Sequence, residues 1–331
     1  MIQTQDHSDL RVKSKPENAR IFGILPTYRR QDLLADTLNK IMRQVRAPDV
    51  LVVVDNESNA ETKKIVDDFD RQRNDVDVIF MDAGENLGSA GGWALGMTEA
   101  LKHSQDHDWI LTLDDDDPPM WEHEISDMFS FAQMQLENTE DLGAVGIVGA
   151  RFNWKTGYLV RPLDDELQGP VEVDYVGSGH SAMYRADVMR EVGGFRGELF
   201  FGHTEIDFCL RLRAAGYKVI ANGDLWRKRR TEAGRLGLSL KPSRKVALTW
   251  KKYYVTRNYI FLMLDFSRRD LALKRALIQT IAKPLYTLPS SPSLAFEGFR
   301  LGLKASLDGF RGNMGRTIDP AAFREFPRKN R

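Results

Sequence analysis

The chain is short of cysteine, of long apolar runs and of net charge, and each shortage closes off a class of protein. Its one cysteine, Cys209, leaves no internal disulfide and no cysteine-built metal site. A single thiol fits a reducing compartment. No uninterrupted apolar stretch reaches the roughly 18–20 residues of a membrane-spanning helix. Residues 1–19 are polar and charged, without the apolar core of a secretory signal, and read as a loose tail. Two phosphate-binding signatures are also missing. There is no G-x-x-x-x-G-K-[ST] loop, and no G-x-G-x-x-G after the first strand with an acid about 20 residues later. P-loop and dinucleotide-binding enzymes are therefore not expected.

The absent net charge conceals a division. The chain carries 47 Lys+Arg and 47 Asp+Glu, but residues 227–331 hold 24 of the bases and only 7 of the acids. That basic part calls for an anionic partner: a membrane surface, a phosphate-bearing lipid or a nucleic acid. Residues 227–257 alone hold eleven bases and one acid. No nucleic-acid-binding motif accompanies them, so a nucleic-acid partner is not expected.

What is present begins with apolar strands that end in polar residues. The stretch 20–25 runs into Pro26-Thr27-Tyr28-Arg29-Arg30. The stretch 50–54 runs into Asp55-Asn56-Glu57-Ser58, and 76–80 forms a third strand. Helical periodicity fills the intervals at 31–44 and 60–69. Strands alternating with helices predict an α/β fold with a parallel, doubly wound sheet. A glycine-rich segment, Asn86-Leu87-Gly88-Ser89-Ala90-Gly91-Gly92, then opens a helix to about 103, with backbone N–H groups on offer to phosphate.

The strand Trp109-Ile110-Leu111-Thr112-Leu113 ends in Asp114-Asp115-Asp116-Asp117-Pro118-Pro119. Four like charges without a local base form either a solvated acidic loop or a site for a hard divalent cation. Their place just beyond a strand's carboxyl end, where ligands of α/β sheets sit, favours the cation. A helix at 121–136, strands at 144–149 and 171–176 and a short helix at 186–192 follow, with a turn-rich excursion at 152–168. The second acidic site, Thr204-Glu205-Ile206-Asp207, has two readings. Thr204 caps a helix whose first-turn acids suit its dipole, or a carboxylate there serves as a general base. Further on, 269–286 and 293–310 read as basic amphipathic helices, which either lie on a membrane or pack on the main domain.

Taken in order, these pieces resemble a family 2 glycosyltransferase of the GT-A fold over about residues 20–265. The resemblance rests on Leu25-Pro26-Thr27-Tyr28-Arg29, Val54-Asp55-Asn56, the Asn86–Gly92 loop, Asp114-Asp115-Asp116, and Thr204–Asp207 with Leu210-Arg211. The glycine loop and the late Tyr-x-x-x-Arg-Asn run ending at Asn258 are most similar to bacterial rhamnosyl- and galactofuranosyltransferases of cell-surface glycan synthesis. The resemblance implies a Rossmann-like, mostly parallel GT-A domain over 20–235 and a basic helical region over 236–331. It implies an inverting, metal-dependent transfer of galactofuranose or rhamnose from a nucleotide sugar to a lipid-linked or polysaccharide acceptor. The enzyme would be cytoplasmic, peripheral on the inner face of the cell membrane, and an oligomer is compatible. Donor-binding residues would be Pro26, Thr27, Tyr28, Arg29, Asp55, Asn86, Gly88, Asp114 and Asp115, with Thr27, Tyr28 and Asp55 on the nucleobase and ribose. Asp114 and Asp116 would hold Mg²⁺ or Mn²⁺. Glu205, with Asp207 as second choice, would be the base, and Gly177, Ser178, Gly179, His180 and Trp226 would line the acceptor side. Relatives often carry a metal-binding histidine after the strand that follows the base helix. Here that stretch is Asn222-Gly223-Asp224-Leu225-Trp226-Arg227-Lys228. Arg227 or Lys228, and Arg257 beyond them, would then neutralise phosphate, unless the metal is held by fewer protein ligands or His203 substitutes. Two other readings stay open: a sugar-phosphate nucleotidyltransferase, against which Pro26-Thr27-Tyr28 stands where a basic glycine loop belongs, and a degenerate protein that binds nucleotide or glycan without turnover.

Overall fold

The apolar runs become strands because they bury both faces between helices, and their register carries the polar ends to one edge. A computed structural model describes residues 19–72, 75–177, 179–237, 246 and 248–323. The chain runs β1 (Ile21–Thr27), α1 (Gln31–Met42), β2 (Val50–Asp55), α2 (Ala60–Gln72), β3 (Asp77–Asp82), α3 (Gly88–His103), β4 (Trp109–Thr112), α4 (Glu124–Asn138) and β5 (Leu142–Gly146). It continues through β6 (Gly149–Asn153), β7 (Tyr158–Val160), β8 (Pro170–Val173), β9 (Tyr175–Val176), β10 (Ala182–Arg185), α5 (Ala186–Val192), α6 (Thr204–Ala214), β11 (Lys218–Asn222) and α7 (Gly223–Glu232). Beyond lie α8 (Trp250–Asp265), α9 (Arg269–Leu277), a π-helical segment Ile278–Ala282, α10 (Lys283–Thr287) and α11 (Pro292–Arg311).

Eight strands form one sheet in the order β3-β2-β1-β4-β10-β5-β11-β8. The pairs from β3 to β4 and the β5–β11 pair are parallel, while β10 runs antiparallel to both its neighbours and β8 to β11. This is the mixed, mostly parallel sheet flanked by helices that the sequence implies, followed by a basic helical region. In β1, β2 and β4 every residue is buried, as in a sheet covered on both faces. Thr27 pairs with Asp55 and Ile24 with Thr112. The Leu113 amide bonds to Ile24 O at 2.9 Å. The first aspartates after β4 therefore emerge beside Pro26 and Thr27.

The structure departs from the sequence reading most clearly among the strands. The run 144–149 is two strands, β5 and β6, and the excursion at 152–168 includes a β6–β7 hairpin that joins β9 in a separate three-stranded sheet. The run 171–176 breaks at Asp174, whose carboxylate takes the Phe152 amide at 2.6 Å. The central strand β10 has no counterpart in the reading: four residues, Ala-Met-Tyr-Arg, carry too little alternation to announce themselves.

The C-terminal helices pack on the rest of the protein by one face and leave another exposed. One face packs: Tyr259, Ile260 and Met263 of α8 share a core with Phe152, Leu210 and Leu271. Gly302 of α11 lies so near α9 and its extension that a Cβ would be 2.5 Å from Gln279 O. The other face is bare: Leu273, Leu277, Ile281 and Leu285 form one exposed stripe, Phe296, Phe299, Leu303, Leu307 and Phe310 a second. Among the described residues no helix is long and apolar enough to cross a membrane.

Candidate active site

The polar strand ends meet in a cavity of about 390 Å³. From β1 and the turn after it come Pro26, Thr27, Tyr28 and Arg30, and from the end of β2 comes Asn56. Asn86, Gly88, Ser89 and Trp93 enter from the α3 region, and Asp114, Asp115 and Asp116 follow β4. Thr204 and Glu205 enter at the start of α6, and Trp250, Lys251 and Pro320 close the side facing the basic region. Residues of five distant sequence motifs thus share one space.

The acidic run divides within it. Asp115 is almost wholly buried, accepts from Thr27 Oγ1 at 2.8 Å and from Arg30 Nη1 at 2.7 Å, and its carbonyl accepts from Thr37. It is the anchor of the loop. Asp116 takes Arg30 Nη1 at 2.5 Å. The Asp114 carboxyl is pushed up to about 7, by burial first and then by Asp116 and Asp115 beside it, with Arg30 offsetting only part. Asp117 turns away to His180 Nδ1 at 2.6 Å and Arg229 at 2.7 Å. Despite the opposing cost of burial, these two hold its carboxyl below the usual range. Candidate ligand oxygens of Asp114, Asp115 and Asp116 lie within 4.8 Å of one another. Three carboxylates against one guanidinium leave excess negative charge in a partly buried place, and an all-oxygen set suits Mg²⁺ or Mn²⁺.

Glu205 and Asp207 face opposite ways. Glu205 lines the cavity, with no hydrogen bond or ion pair among the described residues. Asp207 is fully buried and paired with Arg211 at 2.8 Å and Arg196 at 3.3 Å. Burial raises its carboxyl, while the two guanidiniums counter. Thr204 is not the helix cap that the sequence suggested. His203 occupies that position in a left-handed conformation, φ 66°, and makes no side-chain cap bond. Among the described residues the Thr204 hydroxyl is left buried and without a partner, as is Asn56 Oδ1. Both residues line the cavity, where a ligand could complete these bonds.

The remaining sequence candidates scatter. Asp55 is buried and receives the Glu57 and Asn59 amides, so it shapes the turn that presents Asn56. Arg29 pairs with Glu57 outside the cavity lining. Gly179 abuts the acidic cluster: a Cβ there would be 3.4 Å from Asp114 Oδ2. A Cβ on Gly177 would meet the His180 ring at 3.4 Å. Ser178 lies outside the described residues. Trp226 is buried under the Arg230 guanidinium. Arg227 donates to Asp164 O, and Lys228 stands over the Trp121 ring. Arg257 is buried, donating to Leu199 O, Gly315 O and Thr317. Asn258 gives its amide to the carbonyls of Leu199, Phe201 and Gly202. The Arg-Asn pair therefore pins the turn that carries Glu205, rather than lining the cavity. The glycine loop also differs from expectation. The Gly88 amide is taken by Asn86 Oδ1 and the Ala90 amide by Phe200 O, so these two are not on offer to phosphate.

The cations that do line the cavity, Arg30 and Lys251, escaped the sequence reading. Arg30 had its signal in the second arginine after Tyr28. Lys251 had only the aromatic-basic character of the stretch around it.

A profile of glycosyl transferase family 2 matches residues 24–193, just over half of the chain. Galactofuranosyltransferase GlfT1 of Mycolicibacterium smegmatis is 29% identical over 211 residues, 59% of this chain and 66% of that protein. GlfT1 of Mycobacterium tuberculosis H37Rv is 37% identical over 98 residues, 29% of this chain and 30% of that one. The matches span less than two thirds of these relatives' lengths. Among solved structures, S. aureus TarS 1–349 in complex with UDP-GlcNAc gives a TM-score of 0.53 at 15% identity, over 88% of this chain and 81% of that one. GalNAc-T7 with UDP, GalNAc and Mn²⁺ gives 0.55 at 11%, over 87% and 56%. At such identities the likeness is one of fold.

Proposed function

The chain belongs to glycosyl transferase family 2, and from that premise we propose that it moves a sugar from a nucleotide-sugar donor to an acceptor hydroxyl, with inversion at the anomeric carbon. The observation that carries this reading is the convergence of Thr27, Tyr28, Asn56, the three aspartates and an unpaired Glu205 on one cavity. The nucleoside lies against Thr27, Tyr28 and Asn56, and its diphosphate is directed toward Asp114–Asp116, with Arg30 and Lys251 as the nearby positive charge. Asp114 and Asp116 would hold Mg²⁺ or Mn²⁺, which when bound would supply Lewis-acid stabilisation of the departing diphosphate. Glu205 receives the acceptor's proton. The acceptor oxygen attacks the anomeric carbon as the carbon–oxygen bond to the diphosphate breaks, and the nucleoside diphosphate leaves. The Thr204 hydroxyl, beside Glu205, orients the acceptor, which enters past Gly179 and His180.

The relatives' names make galactofuranose the first donor sugar to test and rhamnose the second. The acceptor is a lipid-linked or polysaccharide glycan of the cell surface. The transferase unit ends near residue 235. The helices beyond it rest on the inner face of the membrane, a role supported by their exposed apolar stripes and their excess of bases. Turnover with a panel of UDP- and dTDP-sugars tests the reading. EDTA should abolish product and added Mn²⁺ or Mg²⁺ restore it. Glu205→Gln should lower kcat by about 10²–10⁴-fold, the usual range for a positioned base. Undiminished turnover in that variant would overturn the assignment.

A further inference from the structure

Behind the base-bearing helix, α8, the Arg269–Thr287 helical stretch and α11 enclose a second charged place. Lys252 and Lys283 line a small cavity together with Thr256, Gln279 and Gly302. Arg275, Gln279 and Lys283 all belong to the helical stretch that supplies this wall, with Gln279 and Lys283 lining the cavity. The Arg275 guanidinium lies 4.0 Å from the centre of the Tyr259 ring. Among the described residues, none of the three cationic side chains makes a hydrogen bond or ion pair with a carboxylate.

Neighbouring titrations register the crowding. Burial, then Lys283 and Arg275, bring the Lys252 ammonium down to about 8. Lys283 falls through burial and Arg275. His203, at the entry to α6, is pushed down to about 3 by burial first and then by Arg275 and Lys252. Half-buried like charges without a counter-ion are costly, and proteins seldom keep them without a partner. The cavity itself, about 20 Å³, has room for a water or one oxygen of a larger anion. A larger group would therefore sit at its mouth, within reach of charge-assisted bonds from α8 and from the Arg269–Thr287 stretch. The π-helical segment Ile278–Ala282 lies in this wall, an irregularity frequent at functional places.

We infer that Lys252, Arg275 and Lys283 form a second anion site, separate from the carboxylate-lined cavity, that takes a phosphoryl group. Lys251 faces the donor cavity and Lys252 this one, so a single step of α8 divides the two. The phosphoryl group belongs either to a soluble phosphate or to a lipid headgroup, the latter suggested by exposed Leu277 and Ile281 on the same helical stretch. The inference concerns binding and does not depend on sugar transfer.

The test uses the full chain in EDTA at constant ionic strength. Inorganic pyrophosphate should raise the thermal midpoint of the unmodified protein and of Lys251→Gln, which alters only the donor cavity. Lys252→Met and, separately, Lys283→Gln should begin with a higher midpoint and bind pyrophosphate about tenfold more weakly. Capture on phosphatidylcholine vesicles containing phosphatidate supplies the second arm. Capture that Lys252→Met weakens and pyrophosphate competes away assigns the site to a lipid phosphate. A pyrophosphate response that depends on Lys252, with vesicle capture that does not, assigns it to a soluble one. If pyrophosphate shifts the variants as much as the unmodified protein, or shifts none of them, the site does not exist.

Discussion

Glu205 and Asp207 stand two residues apart, and their surroundings assign them different work. Asp207 neutralises Arg196 and Arg211 inside the protein. Asp207→Ala strands the Arg211 guanidinium, while Arg196 keeps Asp265 at 2.8 Å, and should cost about 3 kcal/mol in urea unfolding. Glu205→Gln should leave stability within about 0.5 kcal/mol. The sequence contained half of this distinction: Arg211 is four residues after Asp207, a helix pairing visible in advance, whereas Arg196 arrives from outside the helix. His203 offers a second residue-scale prediction. Its folded value of about 3 lies below the ordinary 6.5, so between those values the unfolded chain binds the extra proton. Stability is therefore held above pH 6.5 and lost as pH falls toward 3, at about 1.4 kcal/mol per unit. Comparing pH 7.5 with pH 5, the unmodified protein should lose about 2 kcal/mol more than His203→Asn, which keeps a residue tolerant of the left-handed backbone.

Among the elements, α3 and the turn before α6 are fitted to each other. Gly88 has φ 72°, and a Cβ there would stand 2.0 Å from Phe200 O. Farther along α3, Gly92 and Gly96 let the helix settle on β1 and β2, where Cβ atoms would come within 2.7 Å of Asn56 and 2.4 Å of Ile24. Gly88→Ala should cost more than about 2 kcal/mol and lower turnover, because the turn leading to Glu205 must move. Gly84→Ala is the control: φ is again 72° but nothing lies within 4 Å, so only the backbone penalty of about 1 kcal/mol remains. Paired denaturation and turnover measurements separate the two. The glycines were visible in the sequence, but their purpose was not, since a glycine that admits a phosphate and one that admits a carbonyl look alike in a string. Strands β1 to β4 were legible because each buries a continuous apolar run. Strand β10 was hidden because its four residues owe their place to the neighbours on either side.

At the scale of the molecule, charge and exposed apolar surface are segregated together. The residues from 227 onward hold most of the surplus bases, and both apolar stripes lie on α9 to α11. Vesicles containing anionic lipid should therefore capture the protein, and added salt should weaken the capture without abolishing it, since salt screens the charges but not the leucines. Leu277→Glu with Phe299→Glu should release the protein in a flotation assay while leaving the unfolding midpoint nearly unchanged. Composition disclosed the basic half and periodicity its amphipathic helices. What neither disclosed was how far that half reaches back into the transferase unit. Arg257 and Asn258 grip the backbone of residues 199–202 from across the molecule, and Pro320 forms part of the cavity wall. A laboratory seeking a minimal catalytic fragment would naturally cut near residue 235, and the piece so obtained would keep every acid of the site while losing the clasp that aims one of them. For the same reason, exchanging the two halves between relatives as modules would require the Arg-Asn pair and the turn it grips to travel together.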